Sequence, residues 1–163
     1  MSSNPRLQIV ALCQQARATI WSNAAAFTPD LVLVQFDDLF ELVRNSSEIL
    51  ARLPAVILQV GDVTAQRNGS AGPNYLEATI PLTANLLMQV PDSGLHRLTQ
   101  LEQGELLASL LNDDWDHDLP GCEILDVIPS AIRIKTDFQD LDPPIALGWV
   151  QVEFQISAAF WTQ

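Results

Sequence analysis

The chain has 163 residues, of which 20 are acidic and 8 basic, and its formal net charge is -12. Proteins that bind nucleic acid phosphates normally carry a basic patch, so this balance argues against sequence-specific binding of nucleic acid. The length fits one domain, residues 1–163, and no apolar run approaches the roughly 18 residues that a membrane-spanning helix needs. We therefore expect a single domain that does not associate with membranes.

The two cysteines, Cys13 and Cys122, are widely separated and belong to no CxxC or Cys/His pattern. Zinc sites and disulfide frameworks depend on such spacings, so we interpret both as thiols of the hydrophobic core. The first residues lack a basic stretch followed by an uninterrupted apolar segment, the pattern of a secretory signal. We expect the protein to stay in the cytoplasm of its maker until it assembles or acts.

The first predicted helix begins at Asn4 and Pro5, a capping residue followed by proline at the first helical position. Apolar residues then recur at helical spacing as far as about residue 21: Leu7, Ile9, Leu12, Cys13, Ala16 and Ile20. After a break at residues 24–29, residues 31–36 form a short apolar run typical of a strand. Two further helical patterns follow before Pro54, one after the acidic pair at 37–38 and one after the serines at 46–47.

A long hairpin is predicted in the middle of the chain. Its first strand is the β-branched run at residues 55–60, and its second is residues 75–90. Pro81 cannot donate a ladder hydrogen bond, which predicts a missing partner on its side, at a sheet edge or a bulge. The glycine-rich connection predicts a flexible loop over residues 62–74.

A second main helix is predicted over residues 95–111, after the sequence Asp-Ser-Gly at 92–94. Its leucines form a wide apolar face: Leu95, Leu98, Leu101, Leu106, Leu107, Leu110 and Leu111. Gly104 interrupts the helical pattern, which indicates close packing of another backbone at that position. An acidic loop follows at residues 113–118.

The last third of the chain predicts strands at residues 122–128, at 131–135 with Phe138, and at 146–160. In the last of these, apolar and polar residues alternate strictly: Val150, Val152, Phe154 and Ile156 against Gln151, Glu153, Gln155 and Ser157. Such alternation is typical of a strand with one buried face. We predict an α+β fold in which two main helices pack on one face of an antiparallel or mixed sheet of four to five strands, with a long hairpin loop.

Two short acidic patterns have a catalytic or metal-binding interpretation. The Asp-Ser-Gly at 92–94 matches the aspartic-protease signature, but a helix follows where that site needs a strand, and the same letters cap a helix. Asp114, Asp116 and Asp118 have the spacing of a calcium loop, but leucines occupy its required glycine and glutamate positions. A loose divalent-cation site between subunits stays an alternative to a solvated acidic turn.

The two histidines, His96 and His117, lie beside no serine or cysteine nucleophile motif. We predict no catalytic residue, no cofactor and no metal ligand, and hence that the chain is not an enzyme. An enzyme with an unrecognised site stays an alternative hypothesis.

The order of elements resembles the tail-terminator, or tail-completion, proteins of tailed bacteriophages, and most closely the minor tail proteins of Mu-like prophages. The stretches that carry the resemblance are PAVILQVG at 54–61, the strand at 75–90, the helix at 95–111 with the acidic loop to Gly121, and the terminal GWVQVEFQISAAFW. The resemblance implies a homo-oligomeric, hexameric ring that caps the tail tube and joins it to the head connector. It further implies tail-tube and head-connector partners and a final location in the virion tail.

In such a ring we assign five residues to the subunit interface: Arg67, Trp149, Gln151, Gln155 and Trp161. The polar face of the terminal strand has little charge for a solvated sheet, and tryptophan is favoured as an interface anchor, although ordinary core packing is the default for both tryptophans. The acidic loop is assigned to the lumen or an exposed loop: Asp113, Asp114, Asp116 and Asp118. The rival from another class is an acidic secretion or assembly chaperone that binds a partner protein as a dimer.

Overall fold

Two helices and six strands form a mixed α+β fold. The computed structural model describes residues 5–36, 52–67, 72, 74–90, 96–112, 115, 119–139 and 145–162. In chain order the elements are α1 (Ile9–Ser22), a 3-10 turn (Ala24–Ala26), β1 (Leu33–Phe36), β2 (Ala55–Val60), β3 (Thr64–Arg67), β4 (Tyr75–Val90), α2 (His96–Leu110), β5 (Cys122–Gln139) and β6 (Ile145–Trp161). The strand order is β1-β2-β4-β6-β5, with β3 paired to β4. The predicted α+β class is confirmed, with six strands in the sheet in place of four to five.

The terminal strand β6 lies inside the sheet. It pairs antiparallel with β4 from Val90 opposite Ala146 to Tyr75 opposite Trp161, and with β5 along its other edge. The pair β1 and β2 is parallel, which makes the sheet mixed. Strand β6 is therefore a central strand, with β4 on one side and β5 on the other.

Both helices pack on the same face of the sheet, as predicted. Helix α1 contributes Leu12, Cys13, Ala16 and Ile20 to the core, and α2 contributes Leu107. The sheet contributes the alternating apolar residues of its long strands: Ile80, Leu82, Ala84, Leu86, Val150, Val152, Phe154 and Ile156. Burial of one large apolar side chain contributes about 1.5–3 kcal/mol, so this helix-covered face supplies most of the driving force for folding.

Helix α1 begins at Ile9, later than the predicted start at Asn4 and Pro5. Gln8 occupies the N-cap position and makes no side-chain cap hydrogen bond. Its Nε2 instead donates to the carbonyl oxygen of Pro120 at 2.7 Å. A tertiary contact with the segment before β5 therefore takes the place of the local cap that the sequence predicts.

Helix α2 matches the predicted position, and most of the predicted leucine face packs in the core, namely Leu106, Leu107, Leu110 and Leu111. Leu98 is the exception. Leu98 is 68% exposed, whereas the polar residues Gln100 and Gln103 are buried. Gln100 Nε2 donates to the carbonyl oxygen of Lys135 at 3.0 Å, and Gln103 Oε1 accepts from the Thr28 amide at 3.1 Å. These two hydrogen bonds satisfy the buried amides and rotate Leu98 away from the sheet.

Gly104 lies where α2 approaches the sheet most closely. A Cβ atom at this position would stand 2.6 Å from Val150 Cγ1 and 3.2 Å from Ile132 Cγ2. The predicted close packing is confirmed, but the neighbours are side chains of β6 and β5 and not another backbone.

The predicted flexible loop at 62–74 is wrong for Thr64–Arg67, which forms β3. This strand pairs antiparallel with β4, from Thr64 opposite Thr79 to Arg67 opposite Leu76. All of its side chains are exposed. An exposed strand carries no apolar alternation, so the sequence gives no periodic signal for it.

Pro81 lies within β4, and β4 is not an edge strand. The pairing of β2 ends with Val60 opposite Leu82, and the pairing of β3 begins with Thr64 opposite Thr79, so three residues face two at the junction. There the Gly61 amide donates to the carbonyl oxygen of Pro81 at 2.8 Å. The edge alternative is wrong, and the bulge alternative fits this irregular junction.

Strand β5 replaces the two separate strands predicted at 122–128 and 131–138. Register shifts between Ile124 and Asp126 and between Pro129 and Ala131 let it continue past Pro129 beside β6. These shifts break the alternation of apolar residues, which is why the sequence suggests two strands. The helical patterns predicted between residues 37 and 51 and the connection at 140–144 lie outside the described residues.

Candidate functional site

The face of the sheet opposite the helices carries uncharged amide side chains on three neighbouring strands. Gln59 of β2, Asn85 of β4, and Gln151 and Gln155 of β6 define this surface, which we call the amide face. It exists because successive residues of a strand point to opposite sides, so the polar half of each alternating strand gathers on one side of the sheet.

Asn85 is the centre of the amide face and is fully buried. Its Oδ1 accepts from Trp149 Nε1 and from Gln151 Nε2, both at 3.1 Å. Its Nδ2 donates to the carbonyl oxygen of Ile57 at 3.2 Å and to Gln59 Oε1 at 3.1 Å. Both donors and both acceptor positions of the amide are therefore used. This network ties β2, β4 and β6 together and fixes the orientation of the side chains around it.

No sequence pattern predicted Asn85 as a site residue. The available signal is an asparagine within the largely apolar second half of β4, between Ala84 and Leu86. Asparagine is disfavoured in strands, and a buried polar group is costly unless it is hydrogen-bonded. A lone asparagine in a long apolar strand therefore indicates a cross-strand network, but its partners emerge only from the register.

A basic corner borders the amide face on β5. Arg133 Nε lies 3.2 Å from Glu153 Oε1, and the exposed side chains make this a surface ion pair. Such a pair contributes about 0–1 kcal/mol. The Lys135 Nζ lies 5.4 Å from the centroid of the Trp149 ring, a cation–π geometry. Arg133 thus pairs with an acid of the neighbouring strand, while Lys135 contacts an aromatic ring.

An acidic corner lies at the other end of the same face. The register places Glu123 opposite Ala159 and Asp126 opposite Ser157, at the start of β5. Burial raises the pKa of Tyr75, and the negative charges of Glu77 and Glu123, with a hydrogen bond to Glu77, raise it further. From Glu123 to Lys135 the charges along β5 are therefore segregated by sign.

The structure brings together three of the five residues assigned to the interface. Trp149, Gln151 and Gln155 all lie on the amide face, although only Gln155 is exposed. Trp161 lies at the far end of β6 and lines an open groove of about 630 Å³ between the start of α1 and Pro120. Arg67 ends β3 opposite Leu76, on the helix-covered side of the sheet. Their role in an interface stays a prediction.

The acidic residues assigned to a lumen, Asp113, Asp114, Asp116 and Asp118, lie outside the described residues, as do His117 and the Asp-Ser-Gly at 92–94. Trp115, within the same loop, is described and packs into the main core with 6% exposure. Its Nε1 has no hydrogen-bond partner among the described residues. No sequence pattern predicted a role for Trp115.

Both cysteines belong to the core beneath the helix-covered face, as interpreted from the sequence. Burial raises the pKa of the Cys13 thiol and of the Cys122 thiol to about 11. Thiols with raised pKa values are poor nucleophiles at neutral pH.

In the described part of the chain, no group of three or more His, Cys, Asp or Glu side chains is placed to hold a metal ion. Neither described helix is long and apolar enough to cross a membrane. A scan against protein-family models found no match to this chain, and a search of curated proteins found no matching sequence.

Proposed function

We propose that this chain is a structural subunit of a phage-type tail, which forms a ring that terminates the tail tube and joins it to the head connector. The observation that carries the proposal is the amide face. Interface cores are depleted in charged residues, and this surface combines four uncharged amides with one acid, Glu153, which is paired with Arg133. Its partners would be further copies of the chain, the tail tube and the connector.

The exposed part of the amide face has an uncharged side chain, Gln155. Its neighbour on the same face of β6, Glu153, is an acid whose charge is paired with Arg133. Gln155 is exposed beside Ile128, which is also exposed. Uncharged amides lose less solvation than carboxylates or ammonium groups when a second surface covers them, so such a face can be buried on assembly at modest cost. Trp149, held by Asn85 and Lys135, gives this face a rigid aromatic residue of the kind that anchors interfaces.

The net charge of -12 supports the same proposal. A ring at the mouth of a tail must let DNA pass without retaining it. An acidic wall repels phosphates and releases no counterions on contact, so it does not hold the strand.

The test is the assembly state of the purified chain, measured by light scattering after size-exclusion chromatography and by negative-stain electron microscopy. We expect hexameric rings. The change Gln155→Lys places a charge in the middle of the amide face, and it should weaken ring formation on the order of tenfold with little loss of thermal stability.

The matched control is Gln14→Lys, the same chemical change at an exposed position of α1. It should leave ring formation unchanged. A stable dimer at all protein and magnesium concentrations would contradict the ring and favour the dimeric chaperone. Equal loss of folding and assembly in Gln155→Lys would remove the amide face as the ring contact.

A further inference from the structure

Strand β5 forms one edge of the sheet among the described strands, and it exposes a row of side chains whose charge changes along the strand. From its start to Lys135 the exposed large or charged residues on the side opposite the helices are, in order, Glu123, Leu125, Asp126, Ile128, Arg133 and Lys135. The row is thus acidic at one end, aliphatic in the middle and basic at the other end.

Neither charged end is neutralised fully by its own subunit. Glu123 and Asp126 form no ion pair with any cation of the described residues, and Glu123 adds to the negative field around Tyr75. At the other end, Glu153 pairs with Arg133, whereas Lys135 contacts the Trp149 ring. The chain has only 8 basic residues, and two of them lie on this one edge.

The middle of the row is apolar. Leu125 is 41% exposed and Ile128 is 51% exposed, and Pro129 follows directly. A stable interface typically combines an apolar centre with a charged or polar rim. The edge of β5 therefore has both parts of an interface within one strand.

We propose that two copies of the chain associate side by side along β5, antiparallel, about a two-fold axis near Pro129. In this arrangement Glu123 and Asp126 of each copy face Lys135 and Arg133 of the other, and the two Ile128 side chains meet near the axis. A two-fold contact is isologous, so one self-complementary strand supplies both halves. A parallel arrangement would set like charges against each other.

The contact is made chiefly by side chains. Proline has no amide hydrogen, and the two register shifts interrupt regular hydrogen bonding along the edge. Such interruptions protect an edge strand from pairing with arbitrary partners. Asp137, the next residue on this face of β5, lies beyond the overlap because its counterpart position precedes the start of the opposing strand.

This contact does not rest on the proposed ring. A ring with a single rotation axis uses head-to-tail contacts, in which two different surfaces meet, whereas the β5 contact joins the same surface of two copies. The β5 pair and the amide-face contact can therefore be broken separately.

The experiment is charge reversal at one end of β5 at a time, followed by analytical ultracentrifugation of the full chain. The variant Glu123→Lys with Asp126→Lys has a wholly basic edge, and the variant Arg133→Glu with Lys135→Glu has a wholly acidic one. We expect each variant alone to pair at least about tenfold more weakly than the unmodified chain. An equimolar mixture of the two should pair again, because each edge then meets one of opposite sign.

A second variant keeps the test decisive if a reversed edge impairs folding. Ile128→Lys should weaken pairing through the middle of the row, while the control Leu98→Lys, at an exposed leucine of α2, should not. A monomer at all accessible concentrations, or pairing unaffected by both reversals, would overturn the inference. Hexamers of the same size in the unmodified chain and in both reversed variants would also overturn the inference while supporting the ring. A charge-dependent dimer that grows no further would support the inference and contradict the ring.

Discussion

The two faces of β6 differ in what holds them. On the helix-covered face, Val152, Phe154 and Ile156 are almost fully buried, and their stabilisation comes from apolar area removed from water. On the amide face, Gln151 and Trp149 donate hydrogen bonds to one buried asparagine, and Trp149 also packs against a small apolar cluster of Ala55, Ile57 and Leu87. Loss of side-chain volume destabilises the first face, and loss of a hydrogen-bond partner destabilises the second. The two faces of one strand are thus stabilised by different interactions, apolar burial on one side and directed hydrogen bonds on the other.

Removal of volume from the helix-covered face should have the largest effect. Phe154 is 1% exposed, so Phe154→Ala leaves a cavity as well as losing transfer free energy, and it should cost about 3–5 kcal/mol of unfolding free energy. Urea denaturation followed by circular dichroism measures this cost. The adjacent control Gln155→Ala, on the other face, should stay within about 0.5 kcal/mol. Similar costs for the two variants would contradict the division between the faces.

Removal of the central partner from the amide face should have the next largest effect. Asn85→Ala leaves Trp149 Nε1, Gln151 Nε2 and the Ile57 carbonyl without their observed partner, which should cost about 2–3 kcal/mol. The control is Thr83→Ala, two positions earlier on the same face of β4 and only partly buried. The same denaturation assay applies, and a cost for Asn85→Ala no larger than for the control would refute the role of the network.

The smallest effect concerns the thiols of the helix-covered core. The pKa of Cys13 is about 11 in the folded chain against a reference value of 9.0, and the same holds for Cys122. Between these values the unfolded state binds fewer protons, so the unfolding free energy is intact below pH 9 and falls as pH rises towards 11. The loss should be about 1 kcal/mol per thiol between pH 8 and pH 10.

The measurement compares urea denaturation of the unmodified chain and of Cys13→Ala with Cys122→Ala over that pH range. The ionisation of the single tyrosine, Tyr75, and of the single lysine, Lys135, is common to both proteins and cancels in the difference. Parallel pH profiles would show that the thiols ionise as easily in the folded chain as in the unfolded one.

The sequence was most informative where alternation is regular and burial one-sided. For β6 the period of two gives the strand, its buried face and its polar face, and the resulting sheet supports both helices. The same reasoning divides β5 in two, because the register shifts around Asp126 and Pro129 reset the alternation. It misses β3 altogether, since no residue of that strand is buried.

The candidate site was less predictable than the fold. Trp149, Gln151 and Gln155 follow from the polar half of one alternating strand. Asn85 does not, because its role depends on which residues the neighbouring strands place opposite it. Leu98 is a similar case on a helix. Its place in the leucine pattern predicts burial, but the hydrogen bonds of two buried glutamines set the rotation of α2, and Leu98 is exposed. Cross-strand partners and helix rotation are properties of the assembled sheet.

The hydrogen bond from Gln100 to the Lys135 carbonyl has a mechanical consequence. Gln100 belongs to α2, and Lys135 belongs to the edge strand β5, so one side chain links the helix to the basic end of the edge. It reaches this carbonyl over Gly148, where a Cβ would stand 2.7 Å from Gln100 Nε2. A partner that shifts the end of β5 would therefore act on α2 through this hydrogen bond as well as through the packing of Gly104 against Ile132.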